Sequence, residues 1–205
     1  MPIVVRIEKG AEPTALAVAE ATAASVVQLL ADARSTSGEW AAAVTRWLDG
    51  RIRKVARRAR GSRWTAAAAL PGVTVTHGGA EVRALVPTAT DAVPAEIAKL
   101  QVSGLELVRG EPSPPIVAAL SVALTPHVTM SALKAAVQAA HAAQLAYSVM
   151  SDDELSSWRE AGLAVRVGYP DAATWAGLAS SARVVIRDAG FTEIPPGTRT
   201  ALALF

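Results

Sequence analysis

Cysteine is absent from this chain, which removes disulfide bonds and thiolate-held metals from both its fold and its chemistry. Histidine is scarce: His77, His127 and His141 lie far apart in 205 residues, so no metal site is expected. No stretch approaches the ~18 consecutive apolar residues that span a bilayer. The opening MPIVVRIEKG lacks a basic leader followed by a long apolar core, so it does not read as a signal peptide. The expectation from these absences is a soluble, cytoplasmic protein with no membrane partner.

What is present reads as globular. Apolar residues make up 51% and charged residues 19%, and the length suits one large domain or two small ones. Much of the apolar content is alanine, which favours helices and adds little bulk to a core. The net charge of +2 is unevenly placed: residues 1–110 hold 14 lysines and arginines against 10 acids, and residues 111–205 hold 6 against 8. The excess is concentrated in one segment carrying Arg51, Arg53, Lys54, Arg57, Arg58, Arg60 and Arg63. Such density attracts polyanions through counterion release, and the guanidinium fork suits phosphate oxygens. A solvated helix face is the plainer reading of the same residues.

Along the chain, PIVVRI is a β-branched first strand. A helix is expected over Thr14–Ala31, and a second from near Ser37, with Ser37 as its cap. That second helix is expected to run on through the basic segment, because Ile52, Val55, Ala56 and Ala59 form an apolar stripe at helical spacing. Two β-like runs flanking Gly78-Gly79 read as a hairpin, PAEIAKLQ as a short helix opened by proline, and GEPSPP at 110–115 as a linker. After it come a strand (IVAALSVALT), two helices (SALKAAVQAAHAAQLAYSVM, SDDELSSW), a strand (AGLAVRVGYP), a helix (DAATWAGLASS) and two closing strands. This β-α-α-β-α-β-β order argues for an α/β fold, a mixed β-sheet with helices packed on its faces. The expected division is a basic N-terminal α/β domain over 1–110 and a second α/β domain over 116–205.

In MSALKAAVQAAHA, Lys134, Gln138 and His141 break a run of alanine at spacings of four and three, which stacks them on one helical face. Lys134 falls in the first turn, where free N–H groups and the helix dipole favour an anion. Asp188 follows a strand and precedes Gly190, which lets the backbone turn sharply. Ligand sites in open α/β sheets gather beyond the carboxyl ends of strands. Taken singly, Lys134 reads equally as a solvated lysine, Asp188 as a turn residue and His141 as part of a structural hydrogen-bond network.

Two segments together resemble one family. KAAVQAAHA is similar to the G-K-x-A-A-Q-x-A-H-A helix of the type II peptidyl-tRNA hydrolases. VVIRDAGFTEIPPGTRTALAL resembles that family's closing V-x-D-A-G-x-T-Q-x-x-P-G-x-x-T-x-L-A-I, in the right order and covering roughly residues 116–205. The resemblance implies a carboxylic ester hydrolase of translation that cleaves the bond between a peptide and the 3′ ribose of tRNA. It implies Lys134, Asp188 and Thr192 as the catalytic group, Gln138 and His141 in support, tRNA as partner and no cofactor. The basic residues Arg51, Arg53, Lys54, Arg57, Arg58, Arg60 and Arg63 would then help to hold the tRNA. The departures are Leu133 for the family's glycine, Glu193 for its glutamine, Phe191 for a basic residue, and ALF for the terminal I-G-P. Leu133 and Glu193 favour the alternative of a catalytically inactive tRNA- or protein-binding module of the same fold.

Members of that family act as homodimers, so two tandem similar domains forming a pseudo-dimer are an arrangement to test. Trp47, Trp64 and His77 repeat the spacings of 17 and 13 that separate Trp158, Trp175 and Asp188, and Thr14–Leu16 can be laid on Ser131–Leu133. In that register Lys134, Gln138 and His141 become Ala17, Ala21 and Ala24, and the first half is a degenerate copy. The objection is that the basic segment, expected as a helix, should then match the strand LAVRVG. A monomeric pseudo-dimer and a homodimer both stay open.

Overall fold

Alternation along Pro2–Arg6 (β1) sends Ile3 and Val5 to one face of a sheet and Val4 to the other, and all three are fully buried. A strand buried on both faces needs a layer on each side. The computed structural model, which describes residues 1–114, 117, 119–190 and 193–205, supplies them. In the first half β1 is followed by α1 (Ala15–Ala31), α2 (Ala33–Thr36), α3 (Ala41–Asp49), β2 (Val55–Ala59), α4 (Gly61–Ala68), β3 (Gly72–His77), β4 (Ala80–Leu85) and α5 (Ala95–Ala98). The second half holds β5 (Leu120–Leu124), α6 (Ala132–Val149), α7 (Asp152–Glu160), β6 (Val165–Gly168), α8 (Ala172–Ser181), β7 (Val184–Arg187) and β8 (Arg199–Leu204).

The two sheets have one topology. Their orders are β2-β1-β4-β3 and β6-β5-β8-β7. In each, the first strand pairs in parallel with the second and antiparallel with the fourth, and the third pairs antiparallel with the fourth. The α/β class, the mixed sheets and the tandem similarity read from the sequence are therefore present. Side-chain details repeat as well. Trp47 Nε1 donates to the Arg53 carbonyl (3.2 Å) and Trp158 Nε1 to the Ala164 carbonyl (2.8 Å), each six residues downstream. Thr14 and Ser131 cap α1 and α6 by accepting from the N–H groups of Ala17 and Lys134. Trp64 and Trp175, on α4 and α8, are buried against the outer faces of their sheets.

Alanine proves central to the core. Helices α1 and α6 pack on each other between the two sheets, and eleven of the alanines they bury lie at the seam and beneath it: Ala17, Ala19, Ala21, Ala23, Ala24, Ala135, Ala136, Ala139, Ala140, Ala142 and Ala143. Side chains this small let two helices approach closely while each also covers its own sheet. The packing crosses over: α1 reaches β6 and α6 reaches β2.

Two expectations are corrected. The second helix starts later than Ser37: Trp40 is the N-cap of α3, with no side-chain cap bond. The basic segment is not a helical continuation. The chain leaves α3 at Gly50, and Val55–Ala59 is an edge strand aligned with β1 from Pro2↔Val55 to Arg6↔Ala59. In the strand Ala56 and Ala59 point to opposite faces, each covered by apolar side chains, and pairing with β1 wins over the helical spacing. The objection to the tandem reading thus disappears. The strand anticipated over IVAALSVALT is found as Leu120–Leu124, with Ile116 and Ala118 outside the described residues. No helix among the described residues is long and apolar enough to cross a membrane.

Candidate active site

The first turn of α6 faces the end of β7, and that proximity assembles the site. Lys134 Nζ donates to Asp188 Oδ2 at 2.5 Å, and Gln138 Nε2 donates to the same oxygen at 2.8 Å. The Gly190 N–H donates to Oδ1 at 2.8 Å. Gly190 achieves this with φ +78°, and a Cβ there would lie 2.7 Å from Pro196, so the bend requires glycine. Gln138 is itself oriented by Thr200, whose hydroxyl donates to Oε1 at 2.6 Å. Thr200 was not singled out in the sequence; its place in the closing T-x-L pattern was the available signal.

Lys134 and Asp188 are about nine-tenths buried, at 12% and 9% side-chain exposure. Burial alone raises the Asp188 carboxyl, but donation from Lys134, the Gly190 backbone and Gln138 outweighs it and holds the group below its ordinary value. Asp188 is therefore ionised at neutral pH. A carboxylate so well supplied with donors is a weak base and a good anchor for a water or hydroxyl proton.

These residues line a cavity of about 570 Å³, and its opposite wall comes from the first half. Ile52, Arg53, Lys54 and Val55 face Val137, Gln138, His141 and Leu145 of α6 and the stretch Val185–Ala189. Lys54 is 7% exposed, and its Nζ lies 3.0 Å from both His141 Nδ1 and Gln144 Oε1 and 5.1 Å from the Trp47 ring. Burial pushes the Lys54 ammonium well below the usual lysine range. Burial, then the charges of Lys54 and Lys134 and the α-amine of Met1, push His141 well below the usual histidine range, so its imidazole is neutral.

The residues singled out from the sequence divide by place. Lys134, Asp188, Gln138 and His141 converge on the cavity, joined by Arg53 and Lys54. Thr192 lies outside the described residues. Lys54 does not belong to a tRNA-facing surface, because it is buried against α6. Arg57 donates to the carbonyls of Ala98 and Leu100, and Arg58 to Gln101 Oε1. Both tie down the segment that follows α5. Arg51, Arg60 and Arg63 are exposed, and Arg58, Arg60 and Arg63 line a separate hollow with Lys9 at the far end of β2.

The departures from the family pattern also find places. Leu133 is buried in the core and does not line the cavity. Glu193 accepts from the Ser131 N–H (2.9 Å) and the Ser131 hydroxyl (2.6 Å), so its charge serves the N-terminus of α6.

The equivalent place in the first half carries different chemistry. His77, the counterpart of Asp188, contacts Glu20 Oε2 (2.8 Å) and Ser113 Oγ (3.2 Å). Ser113 donates to Glu20 (2.6 Å), and Val167 N–H donates to the other Glu20 oxygen (3.0 Å). Just ahead of the linker, the carbonyls of Val108 and Arg109 accept from the first N–H groups of α1, Ala15 (2.8 Å) and Leu16 (3.0 Å). Chain leading into the linker thus covers the helix terminus whose counterpart holds Lys134.

The model of the family described as Peptidyl-tRNA hydrolase PTH2 matches residues 119–205. That span begins just before β5 and ends with the chain, taking in the whole second sheet, α6 and the Lys134–Asp188–Gln138 cluster. Over residues 119–205 this chain is accordingly similar to the PTH2 peptidyl-tRNA hydrolase family.

Proposed function

We propose that the protein hydrolyses the ester joining a peptide to the 3′ oxygen of the terminal ribose of tRNA. The observation that carries this reading is the closed Lys134–Asp188–Gln138 cluster in the wall of the interdomain cavity, on a stretch similar to that family. Asp188 accepts a hydrogen bond from the attacking water and aims its oxygen at the ester carbonyl carbon. Lys134 stabilises the negative charge that develops on the carbonyl oxygen. Water adds to the carbonyl carbon, the bond to the ribose 3′ oxygen breaks, and that oxygen takes up the proton lost by the water. The products are tRNA with a free 3′-hydroxyl and a peptide carboxylic acid, which releases its remaining proton to solvent and leaves as the carboxylate. Thr192, by its place in the family pattern, is assigned to the same group. No cofactor enters this chemistry.

In the same reading, residues 116–205 form the hydrolase domain, and residues 1–110 are a degenerate copy that completes the cavity and presents exposed arginines to tRNA. Leu133 in the core and Glu193 on the helix cap leave the cavity to the reacting groups, which favours an active enzyme over an inactive binding module. The test is release of the peptide from an N-acetyl-aminoacyl-tRNA by purified protein. Turnover by the wild type is expected, with Asp188→Ala losing it while tRNA affinity stays within about threefold. Tight tRNA binding without turnover by the wild type would instead establish the binding module.

A further inference from the structure

The polar group of Lys54, His141 and Gln144 has no counterpart across the pseudo-dimer. The tryptophan bonds to the carbonyls of Arg53 and Ala164 put Lys54 in register with Val165. The helix caps Thr14 and Ser131 put His141 and Gln144 in register with Ala24 and Val27. Val165, Ala24 and Val27 are all buried in the apolar core. The crossover packing of a helix on the opposite half's edge strand therefore works without polar groups. Burying an amine and an imidazole together costs free energy, and no carboxylate offsets it within this trio. A purely structural need would be met by the apolar version already present on the other side.

We infer that Lys54, supplied by the first half, is a positioning residue for His141 in the site of the second half. Gln144 Oε1 can only accept, so Lys54 donates one N–H to it. A second N–H goes to His141 Nδ1, which leaves the ring proton on Nε2. Nε2 has no hydrogen-bond partner among the described residues, and His141 lines the cavity one helical turn from Gln138. A neutral imidazole held this way presents a donor to an oxygen of the bound ester or its ribose. The charged and titratable groups around the ring are Lys54 on the segment leading to β2, Lys134 on α6 itself and the Met1 amine ahead of β1. Asp188 at the end of β7 lines the same cavity.

This role rests on the proposed hydrolysis, and the experiment separates the two. Turnover of N-acetyl-aminoacyl-tRNA is measured for the wild type, Lys54→Met and Lys54→Gln, and the His141 ring is followed by NMR as a function of pH. The expected result is a fall in kcat of roughly tenfold or more for Lys54→Met with KM little changed. Partial recovery is expected in Lys54→Gln, which keeps a donor, together with an upward move of the His141 pKa in both variants. Should Lys54→Met fail to fold, Lys54→Gln carries the same comparison. Wild-type kcat in the variants, or an unmoved His141 titration, overturns the positioning role alone. Absence of turnover in the wild type overturns the hydrolase reading and this role with it.

Discussion

At the scale of the residue, Asp188 concentrates what distinguishes this site. Three donors on two oxygens keep it ionised, and each comes from a different source: a helix lysine, a helix amide and a backbone N–H set by a glycine bend. Its folded-state pKa lies below the ordinary 3.8, so its stabilising contribution is complete above that value. The contribution is lost as the pH falls through the depressed pKa. Comparing wild type with Asp188→Asn by thermal melting should show a gap that is constant between about pH 5 and 7 and narrows below 3.8. Gly190→Ala should cost about 1–3 kcal/mol, since φ +78° and the contact with Pro196 both oppose a side chain; urea denaturation reads this directly. Lys134 and Asp188 are legible in the sequence because each sits in a segment that resembles the family pattern. That Lys54 is buried is not legible in the sequence, because nothing in a run of basic residues distinguishes the one that turns inward.

At the scale of the element, the two halves invite paired substitutions. Trp158→Phe and Trp47→Phe each remove one N–H donor from a carbonyl six residues downstream and leave part of a buried indole's volume unfilled. Each should cost about 2–3 kcal/mol, the lost bond plus the cavity, and the double variant roughly the sum. A large cost for only one of them would mean that the two bonds are not equivalent. The order of elements in the second half was legible because its strands, caps and helices are short and well punctuated. The segment 51–63 was not, because its apolar spacing is helical while its strand is defined by pairing to β1, a contact of high sequence separation. On the proposed function, replacing the exposed Arg51, Arg60 and Arg63 together should weaken tRNA binding. The slope of log K against log salt should flatten by roughly 0.9 for each phosphate contact removed. An unchanged slope would place the tRNA on another face.

At the scale of the molecule, the pseudo-dimer carries the Lys134–Asp188–Gln138 cluster in one half and not in the equivalent place of the other. That equivalent place has alanine at the positions of Lys134, Gln138 and His141, and the linker and the chain just ahead of it occupy it through Ser113, Gly110 and the carbonyls of 108 and 109. Gly110 sits so close to Thr14 that a Cβ would fall 2.5 Å from that side chain. A stable peptidyl-tRNA analogue should therefore bind with a stoichiometry of one per 21.1 kDa chain, measurable by calorimetry. A value of two would mean that the linker opens. Joining the halves by a linker has a consequence for variation. In a symmetric homodimer every substitution is made twice, so a lysine that improves one site is imposed on the other. Covalent linkage ends that constraint: Lys54 faces His141 on one side of the seam while Val165 meets alanine and valine on the other. Division of labour between copies, closed to a homodimer, becomes open to a single chain that contains both.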